Sequence, residues 1–353
     1  MMTDGESRRT GDVEHSDLLC PWQAGRPMRE TSVAAVPLPE EGPAFPAMLT
    51  PVIEPFPVLA VAATMVAALY MYGVWRLRRR GWPWWRTACF LAGCAAVVVI
   101  TGTRVDLYGF RMLSVFMFQQ LTLMFAVPPL LVLGEPIAVL LVALPASGRG
   151  RAARRGLLRL MHSRPARVLL HPAPGLVLFL VAFYGLYFSS AVDLLLSAWW
   201  SHVVLEGLLL IAGMLFTLPL LSSGPLPVRM TPAGRLVDLL VEMPLHAFFG
   251  VFLMIAKVPF VAVMSSAPVG WGVDPIADQG IAGGLAWSYG ELPGLLLVML
   301  LMRRWFRHDT SRARARDRTA DEHGDEELDR YNAHLARLHA ADRTDHPGRP
   351  PEV

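Results

Sequence analysis

Thiols are scarce in this chain: Cys20, Cys89 and Cys94 are the three cysteines in 353 residues. None stands at CxxC spacing, which excludes a disulfide framework and a thiolate zinc site. Cys89 and Cys94 share one apolar segment and read as buried structural thiols. Lysine is scarcer still, with Lys257 alone against 31 arginines. A retinal-binding pigment needs a lysine inside its last span, and Lys257 lies elsewhere, so that class is excluded. Charged residues make up only 17% of the chain, and the formal net charge is +3. There is no phosphate-cradling glycine loop, no HExxH, no CxxCH and no GxSxG. No nucleophile stands beside a base, so the chain is not expected to be an enzyme. The arginines fall in short clusters rather than along one helix face, and nothing marks a nucleic-acid reader.

What fills the chain instead is apolar sequence, 54% of the residues. A bilayer crossing takes about 20 apolar residues. Seven segments meet this length, near 56–77, 86–103, 111–134, 172–193, 199–221, 235–257 and 276–302. The expected fold class is all-α, an integral membrane bundle of seven transmembrane helices in the lipid bilayer. The stretch 135–144 is apolar but too short to span, and is placed at the interface or at the end of the third helix. Arginine mirrors cytoplasmic loops. Arg78, Arg79, Arg80 and Arg86 follow the first span, and Arg149, Arg151, Arg154, Arg155, Arg159, Arg164 and Arg167 the third. Arg229 and Arg235 follow the fifth, and Arg303, Arg304 and Arg307 the seventh. The alternate loops hold little more than Arg104, Arg111 and Lys257. This alternation predicts an N-terminus outside and a C-terminus in the cytoplasm. Residues 1–50 read as a disordered N-terminal tail, 51–307 as the membrane domain and 308–353 as a charged cytoplasmic tail. Leu328, Tyr331, Leu335 and Leu338 predict a helix over 325–341 within that tail.

Polar side chains inside the spans carry the chemistry, because ionisable groups in hydrocarbon are costly and mark sites or pathways. In that orientation His202 and Glu206 lie one turn apart on the outer half of the fifth span. Met117 and Gln120 lie on the third span, His246 near the middle of the sixth, and Asp278 and Gln279 at the outer start of the seventh. These residues are predicted to face one chamber open to the outside. Imidazole and thioether donors favour copper, so His202, His246 and Met117 are the candidate metal ligands. Asp278 is placed to orient or neutralise the site, with Gln120, Glu206 and Gln279 in support. Glu242 and Glu291, with Asp238, form a second polar set in the inner half. Gly280/Gly284 and Gly290/Gly294 are predicted to admit a close helix neighbour.

Four stretches, in order, carry a family likeness. The first is Gln119-Gln120 followed by Val127-Pro128-Pro129 and Gly134-Glu135-Pro136; the second runs from His202 through Gly213 to Leu218-Pro219. The third is Glu242-Met243-Pro244-Leu245-His246 with Gly250. The fourth is Asp278-Gln279 with Gly283-Gly284, Trp287, Gly290-Glu291 and Pro293. Over roughly residues 56–340 the chain resembles the CtaG-type cytochrome c oxidase assembly factors. The tail around Asp317-Arg318 and Tyr331-Asn332-Ala333 is similar to actinobacterial members. The resemblance implies a bacterial plasma-membrane protein that serves the maturation of a copper-containing terminal oxidase, with oxidase subunits as partners and copper as the metal. The chain departs from the family pattern where Gln120, Phe116, Glu206 and Leu208 stand at or near positions that usually hold histidine. A second reading is a permeation protein for copper or a small solute, with Glu206 and Asp278 outside the midplane and Glu242 and Glu291 inside it.

Overall fold

A computed structural model describes residues 36–77, 81–144, 148–221, 231–323 and 326–345. Among them the structure is helical throughout, and β-structure is limited to an antiparallel bridge between Pro51 and Thr103. In chain order the helices are α1 (Phe45–Met48), α2 (Val58–Leu77), α3 (Trp84–Gly102), α4 (Arg104–Gly109) and α5 (Leu113–Leu121). They continue with α6 (Val127–Leu133), α7 (Pro136–Ala143), α8 (Gly148–Met161), α9 (Arg164–Leu169) and α10 (Pro172–Leu180). The last five are α11 (Ala191–Leu195), α12 (Trp199–Leu221), α13 (Pro232–Ile255), α14 (Pro275–His323) and α15 (Glu326–Asp345).

Six helices among the described residues are long and apolar enough to cross a membrane: Val58–Leu77, Trp84–Gly102, Leu113–Ala143, Trp199–Leu221, Ala233–Ile255 and Pro275–Ala315. The fourth expected span is the exception. Its apolar helix, Ala173–Gly185, is shorter, and Ser189 Oγ closes its end by donating to Gly185 O at 2.6 Å before α11 begins. The seventh expected span is instead the start of a longer element, since α14 runs without a break into the charged tail.

Two π turns shape the interior. The first, Thr122–Ala126, precedes Pro128 and Pro129. Proline has no N–H, so the carbonyl of Met124, four residues before Pro128, loses its helical donor. Gly213 of α12 packs directly on that carbonyl, where any Cβ would collide with it. The second π turn, Val181–Gly185, sends the Leu186 N–H back to Val181 O, and Ala182 O accepts from Gln120 Nε2 at 3.0 Å. Helices α13 and α14 pack backbone against backbone. A Cβ on Gly250 would stand 2.6 Å from Gly283 O and from Trp287 N. The predicted close approach at Gly280 and Gly284 is not the one used: both face open space, and Gly283, on a different face of the helix, meets α13 instead. Gly290 does face α13, against the His246 ring.

The connecting segments gather at two ends. At one end Val52 N donates to Gly102 O, Arg104 N to Thr50 O, Trp271 Nε1 to Pro39 O and Tyr108 OH to Glu41 O. The same end joins α11 to the connection before α14, where Val263 N donates to Asp193 Oδ1 at 2.8 Å. At the other end Arg76 reaches Ala143 O, Arg86 pairs with Glu135, Arg235 reaches Leu220 O and Arg304 reaches Leu221 O. The basic residues Arg78, Arg79, Arg80 and Arg229, along with Cys20 and the rest of 1–35, lie outside the described residues. Residues 36–50, read from sequence as part of a disordered tail, are held by the contacts above.

Candidate functional site

The site is assembled from α4, α5 and the first two turns of α12. Thr103 caps α4, its hydroxyl accepting from Val105 N at 3.4 Å, and this sets Asp106 in the first turn. On α12 the one-turn spacing of His202 and Glu206 aims both side chains the same way. His202 Nε2 lies 2.9 Å from Asp106 Oδ1 and 3.7 Å from Glu206 Oε1. Gln119 of α5 donates through Nε2 to Asp106 Oδ1 at 3.2 Å, to Glu206 Oε1 at 3.4 Å and to Ile100 O at 3.3 Å. Gly109 at the end of α4 leaves room for the Gln119 amide, since a Cβ there would collide with Oε1.

The cluster is buried, with Asp106 its most exposed member. His202 has no exposed surface, Gln119 is 1% exposed and Glu206 2%. The ring of Phe110 lies 4.2 Å from that of His202, and Phe116 lies 6.0 Å away. Two polar atoms in it, His202 Nδ1 and Gln119 Oε1, are buried and have no hydrogen-bond partner among the described residues. Two carboxylates therefore share one imidazole and one amide in a water-excluded place. Burying like charges side by side is unfavourable unless a proton or a cation balances them. Asp106, His202 and Glu206 also form a set of three ligating side chains whose donor atoms lie within 4.8 Å of one another.

The other predicted site residues serve different elements. Asp278 accepts from Leu113 N at 2.5 Å, from Ser114 N at 3.2 Å and from the Ser114 hydroxyl, capping the start of α5. Ser114 and Gln119 are five residues apart, roughly 8 Å along the helix. Gln279 accepts from Phe260 N at 2.9 Å and donates to Leu253 O and Val258 O, which closes the end of α13. Gln120 bridges α5 to the second π turn, with Tyr187 OH donating to its Oε1 at 2.6 Å. Met117 is fully buried in the central apolar cluster. His246 Nδ1 lies 3.2 Å from Glu242 O, and its ring sits beside Phe125 and Phe179. His246 Nε2 and Glu242 Oε1 are buried without a partner among the described residues. Glu291 is half-buried on α14. The structure thus brings His202 together with Glu206, and leaves His246, Asp278 and Gln279 in other surroundings.

Asp106 and the role of Gln119 were not foreseen from sequence. The loop holding Asp106 reads as a short connection, and Thr103-x-x-Asp106 matches a helix-capping pattern that disguises a site carboxylate. The one available signal is that Asp106 is the sole carboxylate between the second and third predicted spans.

Residues 68–308 match the profile of the cytochrome c oxidase caa3 assembly factor family, Caa3_CtaG. An uncharacterized protein of Mycobacterium bovis is 39% identical over 286 residues, which cover 79% of this chain and 43% of that protein. A Mycobacterium tuberculosis protein matches equally, and one from Mycobacterium leprae is 36% identical over the same share. The chain therefore spans about two fifths of the length of these curated relatives. No solved structure matches it. On the profile match over most of its length, with these relatives beside it, the chain belongs to the cytochrome c oxidase caa3 assembly factor family.

Proposed function

We propose that this chain matures a haem-copper oxidase from within the bacterial plasma membrane, handling copper at its outer face. In this reading it crosses the bilayer seven times, with its N-terminus outside and its C-terminal helices in the cytoplasm. It acts on oxidase subunits as a non-catalytic partner.

The observation that carries the reading is where His202 sits. Its cluster lies beside the end of the bundle where the N-terminal segment meets the 102–112, 189–198 and 256–274 connections. That gathering supports seven crossings: an even number of passes separates each of these segments from the next only if the helix Ala173–Gly185 also traverses. The arginine contacts at the opposite end agree with a cytoplasmic side. Copper accepts imidazole nitrogen, and among the described residues His202 is the histidine grouped with two other ligating side chains, so it is the residue on which handling turns. Asp278 and Gln279 hold α5 and α13 in place around it and need not touch metal.

Deleting the gene and measuring haem and copper in the purified oxidase tests this. Copper per haem falls in the deletion strain and is restored by the wild-type gene. An oxidase with full copper in the deletion strain contradicts the reading.

A further inference from the structure

We infer that Asp106, His202 and Glu206, with the Gln119 carboxamide as fourth donor, bind one divalent cation of the cupric or zinc class. The inference deepens the reading above, since it rests on that cluster being the place where metal is handled.

Spacing is the first support. Donor atoms about 2.1 Å from a tetrahedral ion stand about 3.4 Å from one another. His202 Nε2 is 2.9 Å from Asp106 Oδ1 and 3.7 Å from Glu206 Oε1, so the pairs bracket that value. The Gln119 amide nitrogen, at 3.2 Å from Asp106 and 3.4 Å from Glu206, marks the fourth corner. Its present donation to both carboxylates stands in for the cation. An end-for-end turn of the amide, which gives up the donation to Ile100 O, brings Oε1, now without a partner among the described residues, to the same corner.

Charge is the second support. Two carboxyl groups buried beside one imidazole need a proton or a cation to balance them, and a divalent ion is one species that does so. Donor type is the third. Imidazole with carboxylate and amide oxygens suits zinc and cupric ions, while cuprous ion selects thioether or thiolate sulfur. The four donors named are nitrogen and oxygen atoms, and Met117 lies in the apolar cluster that also holds Phe110 and Phe116. Asp106, on the short α4 outside the spans, is the ligand nearest the surface, with its side chain 10% exposed against 0% for His202. An ion enters or leaves past it.

The full chain in detergent is dialysed against Cu²⁺, Zn²⁺, or Cu⁺ held reduced, and bound metal is counted. One Cu²⁺ or Zn²⁺ binds per chain, each competing with the other, and the Cu²⁺ spectrum by electron paramagnetic resonance shows coupling to a single nitrogen. Asp106→Asn and Glu206→Gln, which keep side-chain shape, each weaken binding about tenfold or more. His202→Gln removes the nitrogen coupling, and Met117→Leu changes neither. Retention of Cu⁺ alone, two or more coupled nitrogens, or loss of Cu²⁺ in Met117→Leu overturns the inference. So does a chain that binds none of the three ions. If such a chain still restores copper to the oxidase in the deletion strain, the maturation reading stands without this site. If divalent ions bind as stated but the deletion strain has normal oxidase, the site stands and the maturation reading falls.

Discussion

At the scale of single residues, the polar groups in the bundle divide between those that hold helices and those that await a partner. Asp278 and Gln279 adjoin in sequence but close two different helix ends, one at the start of α5 and one at the end of α13. Removing a helix cap costs about 1–2 kcal/mol. Asp278→Ala is therefore expected to lower the thermal midpoint in detergent while leaving divalent-ion binding per folded chain unchanged; loss of binding in a folded variant would show that Asp278 belongs to the metal site. Tyr187→Phe leaves the Gln120 carbonyl oxygen buried without its donor, at about 1–3 kcal/mol. Thermal unfolding checks this too. Sequence alone shows that such polar residues are buried, because an apolar run frames each one. It does not show which of them meet, since a contact such as Asp106 with His202 joins residues far apart in the chain through packing that no local pattern encodes. The His202–Glu206 pairing was legible because one turn of helix fixes it. Asp106 was hidden by a capping pattern that is locally a sufficient explanation.

Among the elements, α13 and α14 pack backbone to backbone at Gly250 and Gly283. Gly250→Ala forces a Cβ against backbone atoms at 2.6 Å, and the helices must part. Overpacking of this kind costs about 1–3 kcal/mol. Gly284→Ala meets nothing within 4 Å and gains helix propensity, so it is expected to be neutral or stabilising by up to about 1 kcal/mol. Thermal midpoints of the two variants, measured side by side, should move in opposite directions or only the first should move. A fall in both would mean that the glycine-rich face of α14 is used by a neighbour. The presence of small residues on α14 was readable from the sequence, but the choice among Gly280, Gly283 and Gly284 depends on the rotation of the helix. That rotation is set by its partner. The fourth expected span also shows the limit of hydropathy: apolar length continues to residue 193, yet the helix stops earlier, where Ser189 satisfies a free carbonyl.

For the molecule as a whole, the site, the orientation and the proposed role stand on one arrangement. The His202 cluster, the described N-terminal segment and α11 with Asp193 share one end of the bundle, and the arginine contacts hold the other. The most direct test is labelling of single engineered thiols in intact cells with a membrane-impermeant maleimide, after Cys20, Cys89 and Cys94 are replaced. Leu194→Cys, at a side chain 72% exposed, is expected to react from outside the intact cell, and His339→Cys in α15 only after lysis. Reaction of the His339 position from outside, with the Leu194 position protected until lysis, would turn the cluster toward the cytoplasm and contradict the account.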